Sequence, residues 1–378
     1  MIYLDNAATT LHKPQSVGHA MRSALYELAS PGRGSHSAAM RGAEVAFKTR
    51  EAIARLFHHK EPEGIVFCMN ATHALNIAVK DLAKAGDRTV ISGYEHNSVL
   101  RPLNVLGASV EKASSELFNP AQAVLAFERA LTPGTRLAVI NHVSNVFGYI
   151  LPVFEIAEIC KFRGIPFIID ASQSAGCLDI DFDALGADYI AMPGHKGLYG
   201  PQGTGILLCG YNKKPDTLME GGSGSDSRLP TMPAYLPDRL EAGTHNMPGI
   251  AGLYEGVNFI LQKKPGNILR HQKKLLVALA AKLRAIDGVQ VFASGSAEYQ
   301  SGVLSFNIEG MNSESAAAKL SEMGIAVRAG YHCSPLAHET AGTLSSGTVR
   351  VSFSLFNTIN DVACLASAVR EVAQKREN

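Results

Sequence analysis

The sequence predicts an α/β fold with a mainly parallel sheet, followed by a smaller α+β domain. Short apolar runs alternate with helical-period segments, and most of the runs end in polar residues. Near residue 255 the pattern changes. In chain order, 65–69 reads as a strand and 71–82 as the helix after it. A strand over 89–92 leads to Glu95-His96-Asn97, and one over 137–141 leads to Val143-Ser144-Asn145. Residues 153–163 are helical by periodicity; 166–170 is an apolar strand until Asp170. A strand over 189–192 enters a glycine-rich segment that the apolar run 205–208 follows. Gly, Ser and Pro make 221–237 a long loop. Beyond it come an amphipathic helix over 268–286, a strand over 303–308, a helix over 314–323 and a strand over 326–329. A last helix runs from about 358, where Thr358-x-x-Asp361 looks like a capping box, to about 374. The expected large domain is 15–255; the small one combines 1–14 with 256–378 and carries Cys333.

A chain of 378 residues is long enough for two domains. Its net charge of +1 gives no electrostatic case for nucleic acid or an anionic membrane. Apolar stretches such as 275–281 are too short to span a bilayer, and residues 1–10 lack a basic region followed by an apolar one, so a cytoplasmic location is expected. None of the six cysteines forms a C-x-x-C pair, so no zinc or iron–sulfur site is expected. Most sit in apolar runs as core thiols; Cys333 does not.

The segment Gly194-His195-Lys196-Gly197-Leu198-Tyr199-Gly200 encloses one lysine among glycines. Enclosure lowers an amine's pKa and frees it for a Schiff base. A glycine-rich loop with a lysine also cradles nucleotide phosphates, but the P-loop spacing is absent. In open α/β sheets ligands bind beyond the carboxyl ends of the strands. Thr72, His96, Asn145, Asp170, Gln173 and Lys196 all follow predicted strands, which makes them one candidate site.

Eight motifs in order carry a family resemblance: Tyr-Leu-Asp-Asn-Ala-Ala-Thr-Thr at the start, Asn-Ala-Thr-His at 70–73, Glu-His-Asn at 95–97, Ser-Asn-Val-Phe-Gly at 144–148, Asp-Ala-Ser-Gln at 170–173, Gly-His-Lys at 194–196, Glu-Ala-Gly-Thr at 241–244 and Arg-Ala-Gly-Tyr-His-Cys at 328–333. Together they resemble the class V aminotransferase family of fold-type I pyridoxal phosphate (PLP) enzymes, in its cysteine desulfurase and selenocysteine lyase branch. The resemblance implies a mainly parallel seven-stranded sheet and a PLP cofactor held as a Schiff base by Lys196. It implies that Asp170 pairs with the pyridine nitrogen, although alone this residue equally reads as a helix cap. Gln173 resembles the residue that bonds the ring's phenolic oxygen, and His96 the one that stacks on the ring and shares proton transfer. Thr72, the His73 backbone N–H and His195 would hold the phosphate. Thr244 resembles a residue that reaches a neighbouring subunit's phosphate, which implies a homodimer. Arg350 would grip the substrate carboxylate as a bidentate pair, with Asn145 and His36 lining the pocket; the segment 32–37 also reads as a flexible loop.

Cys333 resembles the nucleophile of the second desulfurase group, carried on a short ordered loop, with neighbouring His332 favouring its thiolate. The chain departs from the family pattern at Pro193, where a phosphate-binding Ser or Thr is usual, at Tyr331 for His and at Ser334 for Ala. The activity implied is L-cysteine to L-alanine, with the sulfur held on Cys333 as a persulfide and passed to a small thiol or a protein. Selenocysteine lyase, a lyase for another β-substituted amino acid, and a transaminase with an idle Cys333 stay open. So does a scaffold that binds PLP structurally. A nicotinamide dehydrogenase is disfavoured, since no strand–GxGxxG–helix fingerprint is present.

Overall fold

The computed structural model describes residues 1–32 and 34–374; Arg33 of the 32–37 segment and the last four residues of the expected small domain lie outside the described residues. A seven-stranded sheet runs, edge to edge, Ile65–Cys68, Gly205–Cys209, Tyr189–Pro193, Phe167–Asp170, Thr135–Asn141, Arg88–Ser92 and Ser109–Ala113. All pairs are parallel except those of Gly205–Cys209, which is antiparallel to both neighbours. Apolar side chains leave both faces. Ile190 and Met192 enter one core cluster and Tyr189 and Ala191 another, as the two-residue period of a strand dictates. This double burial is why the inner strands read as unbroken apolar runs.

The strands and helices expected between residues 65 and 208 all form within two residues of their expected bounds. The edge strand Ser109–Ala113 carried no such signal, because Ser109 and Lys112 are exposed and Val110 and Glu111 only half-buried. The helices Gln15–Glu27 and Ser37–Phe57 were not foreseen either; both pack on Met247–Lys263.

A second sheet is antiparallel, in the order Arg328–Gly330, Thr348–Ser352, Val303–Ile308, Val289–Phe292. A separate core joins it to the helices Pro265–Arg284, Ser313–Glu322 and Ile359–Gln374, and includes Leu4. Pro265–Arg284 spans both cores, with Ile268 in the first and Leu275 to Leu283 in the second. The final helix starts where expected; Thr358 N–H donates to Asp361 Oδ2 at 2.9 Å, one half of a capping box.

The strand expected over 326–329 is two strands broken at Val327. Ile325–Ala326 pairs in parallel with Ile2–Tyr3, while Arg328–Gly330 pairs with Thr348–Ser352. The chain changes sheets there, and the change sets Arg328 opposite Arg350.

Candidate active site

The site opens at the carboxyl ends of the parallel strands. One cavity is lined by Thr72, His96, Asn145, Asp170, Gln173 and Lys196, the six residues read as a single site, together with His195. Asp170 ends its strand and is buried; its Oδ1 accepts from the Ser172 N–H at 2.9 Å. Lys196 sits in a turn that only glycines permit. A Cβ on Gly197 would lie 2.3 Å from the Ala175 carbonyl oxygen, and one on Gly194 2.2 Å from Thr204 Oγ1. Burial lowers the Lys196 pKa to about 8, with Asp170 pulling the other way.

His96 is the N-cap of the helix Asn97–Leu106. The Ser98 N–H donates to its Nδ1 at 3.0 Å, so Nδ1 is the acceptor and the neutral ring carries its proton on Nε2. Burial brings the His96 pKa down to about 4, again opposed by Asp170, so the ring is neutral at physiological pH. The cap therefore fixes both the ring's direction and its tautomer. Ser98 Oγ also meets Thr72 Oγ1 at 2.8 Å. Gln173 donates one amide hydrogen to the Ala7 carbonyl at 3.0 Å and keeps a second. His195 is half-buried, and its Nδ1 has no partner among the described residues.

The Cys333 loop is tied down at four points. The Asn97 N–H donates to the Cys333 carbonyl at 2.9 Å, which holds the loop at the start of the His96 helix. Asn145 Nδ2 donates to the His332 carbonyl at 2.8 Å, and Ser334 Oγ donates to Asn145 Oδ1 at 2.6 Å. The His332 ring contacts the Thr348 carbonyl at 3.1 Å. His332 and Cys333 both take left-handed backbone angles, φ 51° and 59°. Ser334, a departure from the family pattern, is thus a buried tether. Ser334→Ala leaves Asn145 Oδ1 unsatisfied and should cost about 1–2 kcal/mol of stability, read as a lower denaturant midpoint at unchanged slope.

Several expected roles change. His332 does not favour the Cys333 thiolate: it is buried, burial holds it neutral well below its ordinary pKa, and its ring turns to Thr348. The cation at the thiol is Arg328, whose Nη2 lies 3.8 Å from Sγ. The His73 N–H is taken by the N-cap oxygen of Asn70 at 2.9 Å, so it is not a free phosphate donor; the N–H groups of Ala71 and Thr72 precede the first intrahelical bond. His36 caps the helix Ser37–Phe57 and does not line the cavity. Arg350 is buried and already engaged, with Nη2 on Asp5 Oδ1 at 2.6 Å and Nη1 on the Asn145 carbonyl at 2.9 Å, which leaves Nε without a partner among the described residues. Thr244 is exposed and lines a different cavity with His73 and Glu241. Tyr331 rests edge-on against His338 and is half exposed. Arg328, Ser98 and Ser172 were not singled out from sequence, although Arg328 opens one of the motifs and Ser172 lies within another.

The family model for class-V aminotransferases matches residues 2–365. A Methanothermobacter thermautotrophicus protein named Probable cysteine desulfurase is 33% identical over 98% of this chain and 94% of its own. Among solved structures, the apo cysteine desulfurase from Thermococcus onnurineus NA1 superposes with a TM-score of 0.89 at 30% identity, covering 99% of this chain and 95% of that one. A cysteine desulfurase from Escherichia coli gives a TM-score of 0.86 at 26% identity, over 99% and 94%.

Proposed function

The chain belongs to the class-V aminotransferase family, and from that membership and the site's geometry we propose that it is a PLP-dependent cysteine desulfurase, converting L-cysteine to L-alanine with the sulfur taken up by Cys333. The observation that carries this reading is the anchoring of the Cys333 loop to the start of the His96 helix, beside a cavity that holds Lys196 and Asp170.

The residues present fit the cofactor. The helix start at Ala71 and Thr72, the Ser172 hydroxyl and the unpartnered His195 Nδ1 offer phosphate donors where Pro193 offers none. Asp170 has an oxygen to spare for a pyridinium N–H, and Gln173 has a spare amide hydrogen for the phenolic oxygen. When bound, PLP supplies an aldehyde for amines and a ring that accepts electrons. Lys196 would hold it, and its amine is the base placed to take and return a proton at the substrate Cα. His96, neutral and with Nε2–H, offers a hydrogen-bond donor into the same cavity. Arg350 Nε and Arg328 supply cationic donors for the substrate carboxylate. The Cys333 thiolate then forms a bond to the substrate sulfur as the substrate's Cβ–S bond breaks, and Cβ keeps the electron pair and takes up a proton to become the methyl group of alanine. Thr244, exposed and outside this cavity, supports reading the chain as a homodimer in which it serves the partner's site.

The test is the absorption spectrum of purified holoenzyme, followed by L-cysteine with a reductant. A shifting Schiff-base band with equal alanine and sulfide is expected; a band without either product overturns the assignment. A pH prediction accompanies it. Only the neutral amine adds to an aldehyde, so PLP uptake by the apoprotein should accelerate as pH rises through about 8 and then level off. An ordinary lysine, with a pKa of about 10.4, would give on the order of a hundredth of the neutral amine at pH 8 and keep accelerating.

A further inference from the structure

Beside the cavity runs an open groove of about 360 Å³ between the helices Ala71–Leu82 and Asn97–Leu106. Thr72, Lys80, His96, Arg101, Val105 and Cys333 line it. Thr72 and His96 also line the inner cavity, whereas Cys333 lines the groove, so an exposed thiol stands beside the junction of the two. No aspartate or glutamate lines the groove. Lys80, Arg101 and Arg328 belong to none of the ion pairs formed among the described residues. Two cations along the groove, Lys80 and Arg101, and a third, Arg328, 3.8 Å from the thiol raise the local concentration of small anions.

We infer that this groove docks the sulfur acceptor, and that the acceptor is a low-molecular-weight thiol carrying two or more carboxylates; this rests on the desulfurase reading. The volume suits a molecule of a few residues. The acceptor thiolate attacks the outer sulfur of the Cys333 persulfide. A new sulfur–sulfur bond forms, the bond to Cys333 Sγ breaks, and its electron pair leaves on Sγ, 3.8 Å from Arg328. The proton lost by the acceptor thiol is balanced by the one regained at Cys333, and no net oxidation occurs.

The experiment uses holoenzyme carrying Cys364→Ser, because Cys364 is the other exposed thiol. The persulfide is loaded with one equivalent of L-cysteine, and its loss is timed with mercaptosuccinate and with neutral 2-mercaptoethanol. In parallel, the free Cys333 thiol is reacted with a dicarboxylate aryl disulfide and with neutral dithiodipyridine, which needs no turnover. The double change Lys80→Gln/Arg101→Gln should slow both dianionic reagents about tenfold at low salt, change the neutral ones less than twofold, and lose its effect in high salt. Dianion rates that ignore the substitutions overturn the proposal. So does a persulfide that discharges equally to both small thiols while a protein thiol is slowed by the substitutions, which assigns the groove to a protein acceptor. If wild-type enzyme loads no persulfide, the desulfurase reading fails instead, and the disulfide pair still reports whether the groove selects anions.

Discussion

Cys333→Ala is expected to lower alanine formation from L-cysteine by at least about 10³-fold, with the cofactor's absorbance and its response to L-cysteine preserved. Among the described residues, the side chain makes no polar contact beyond that with Arg328. The loop's tethers run through the Cys333 backbone carbonyl, the His332 carbonyl and ring, and Ser334 Oγ, all of which survive the change. Alanine tolerates φ of 59° no worse than cysteine does, since both carry a Cβ. Lys196, Asp170 and His96 keep their surroundings, so binding of substrate and proton removal at Cα should continue while sulfur removal stops. Alanine quantified by chromatography, alongside the spectrum, checks both halves. A transaminase with an idle Cys333 would make this variant nearly as active as wild type.

The contrast between what was legible in the sequence and what was not follows from the range of the interactions involved. His96, Asp170 and Lys196 were legible because each lies just beyond an apolar strand, and in a parallel sheet those ends converge whatever the rest of the chain does. The Cys333 loop was legible as a motif, but what anchors it was not. Its tethers to Asn145 join residues 187 and 189 positions apart, and no local pattern encodes that meeting. His332 misled for a related reason. Adjacency in sequence suggested adjacency in space, but two successive left-handed residues send the imidazole to Thr348 and the thiol toward Arg328. Arg328 in turn needed the sheet register, which places it across from Arg350. The His73 N–H is different, because its capture could have been read: an asparagine directly before a helix accepts from the third N–H, and Asn70 occupies that place.

A larger effect on stability is expected at a residue that the sequence pattern did not mark. Arg50 and Glu241 form a buried two-pronged pair, Nη1 to Oε1 at 2.8 Å and Nη2 to Oε2 at 2.7 Å. Glu241 also accepts from the Phe67 N–H at 2.6 Å, and its Oε2 lies 3.1 Å from His245 Nε2. The pair thereby joins the helix Ser37–Phe57, the sheet-edge strand Ile65–Cys68 and the loop bearing Thr244. Arg50→Ala strands a buried carboxylate and should cost about 3–5 kcal/mol. Burial by itself pushes the Glu241 pKa up, but Arg50 and His245 outweigh it and hold the carboxyl below its usual range. A folded pKa below the unfolded one means that the stabilisation is fully present above the unfolded value of about 4.3 and is lost as pH falls through the folded value. The difference between wild type and Arg50→Ala should therefore be largest near neutrality and shrink in acid, where Glu241 is protonated in both. Urea unfolding at several pH values measures it. Arg50→Met combined with Glu241→Leu should recover part of the loss, because removing both charges also removes the burial penalty. The recovery should stay incomplete, since the Phe67 N–H then has no acceptor. A double variant as unstable as Arg50→Ala would instead mean that position 50 matters through packing on Phe67, over whose ring the guanidinium lies at 4.1 Å.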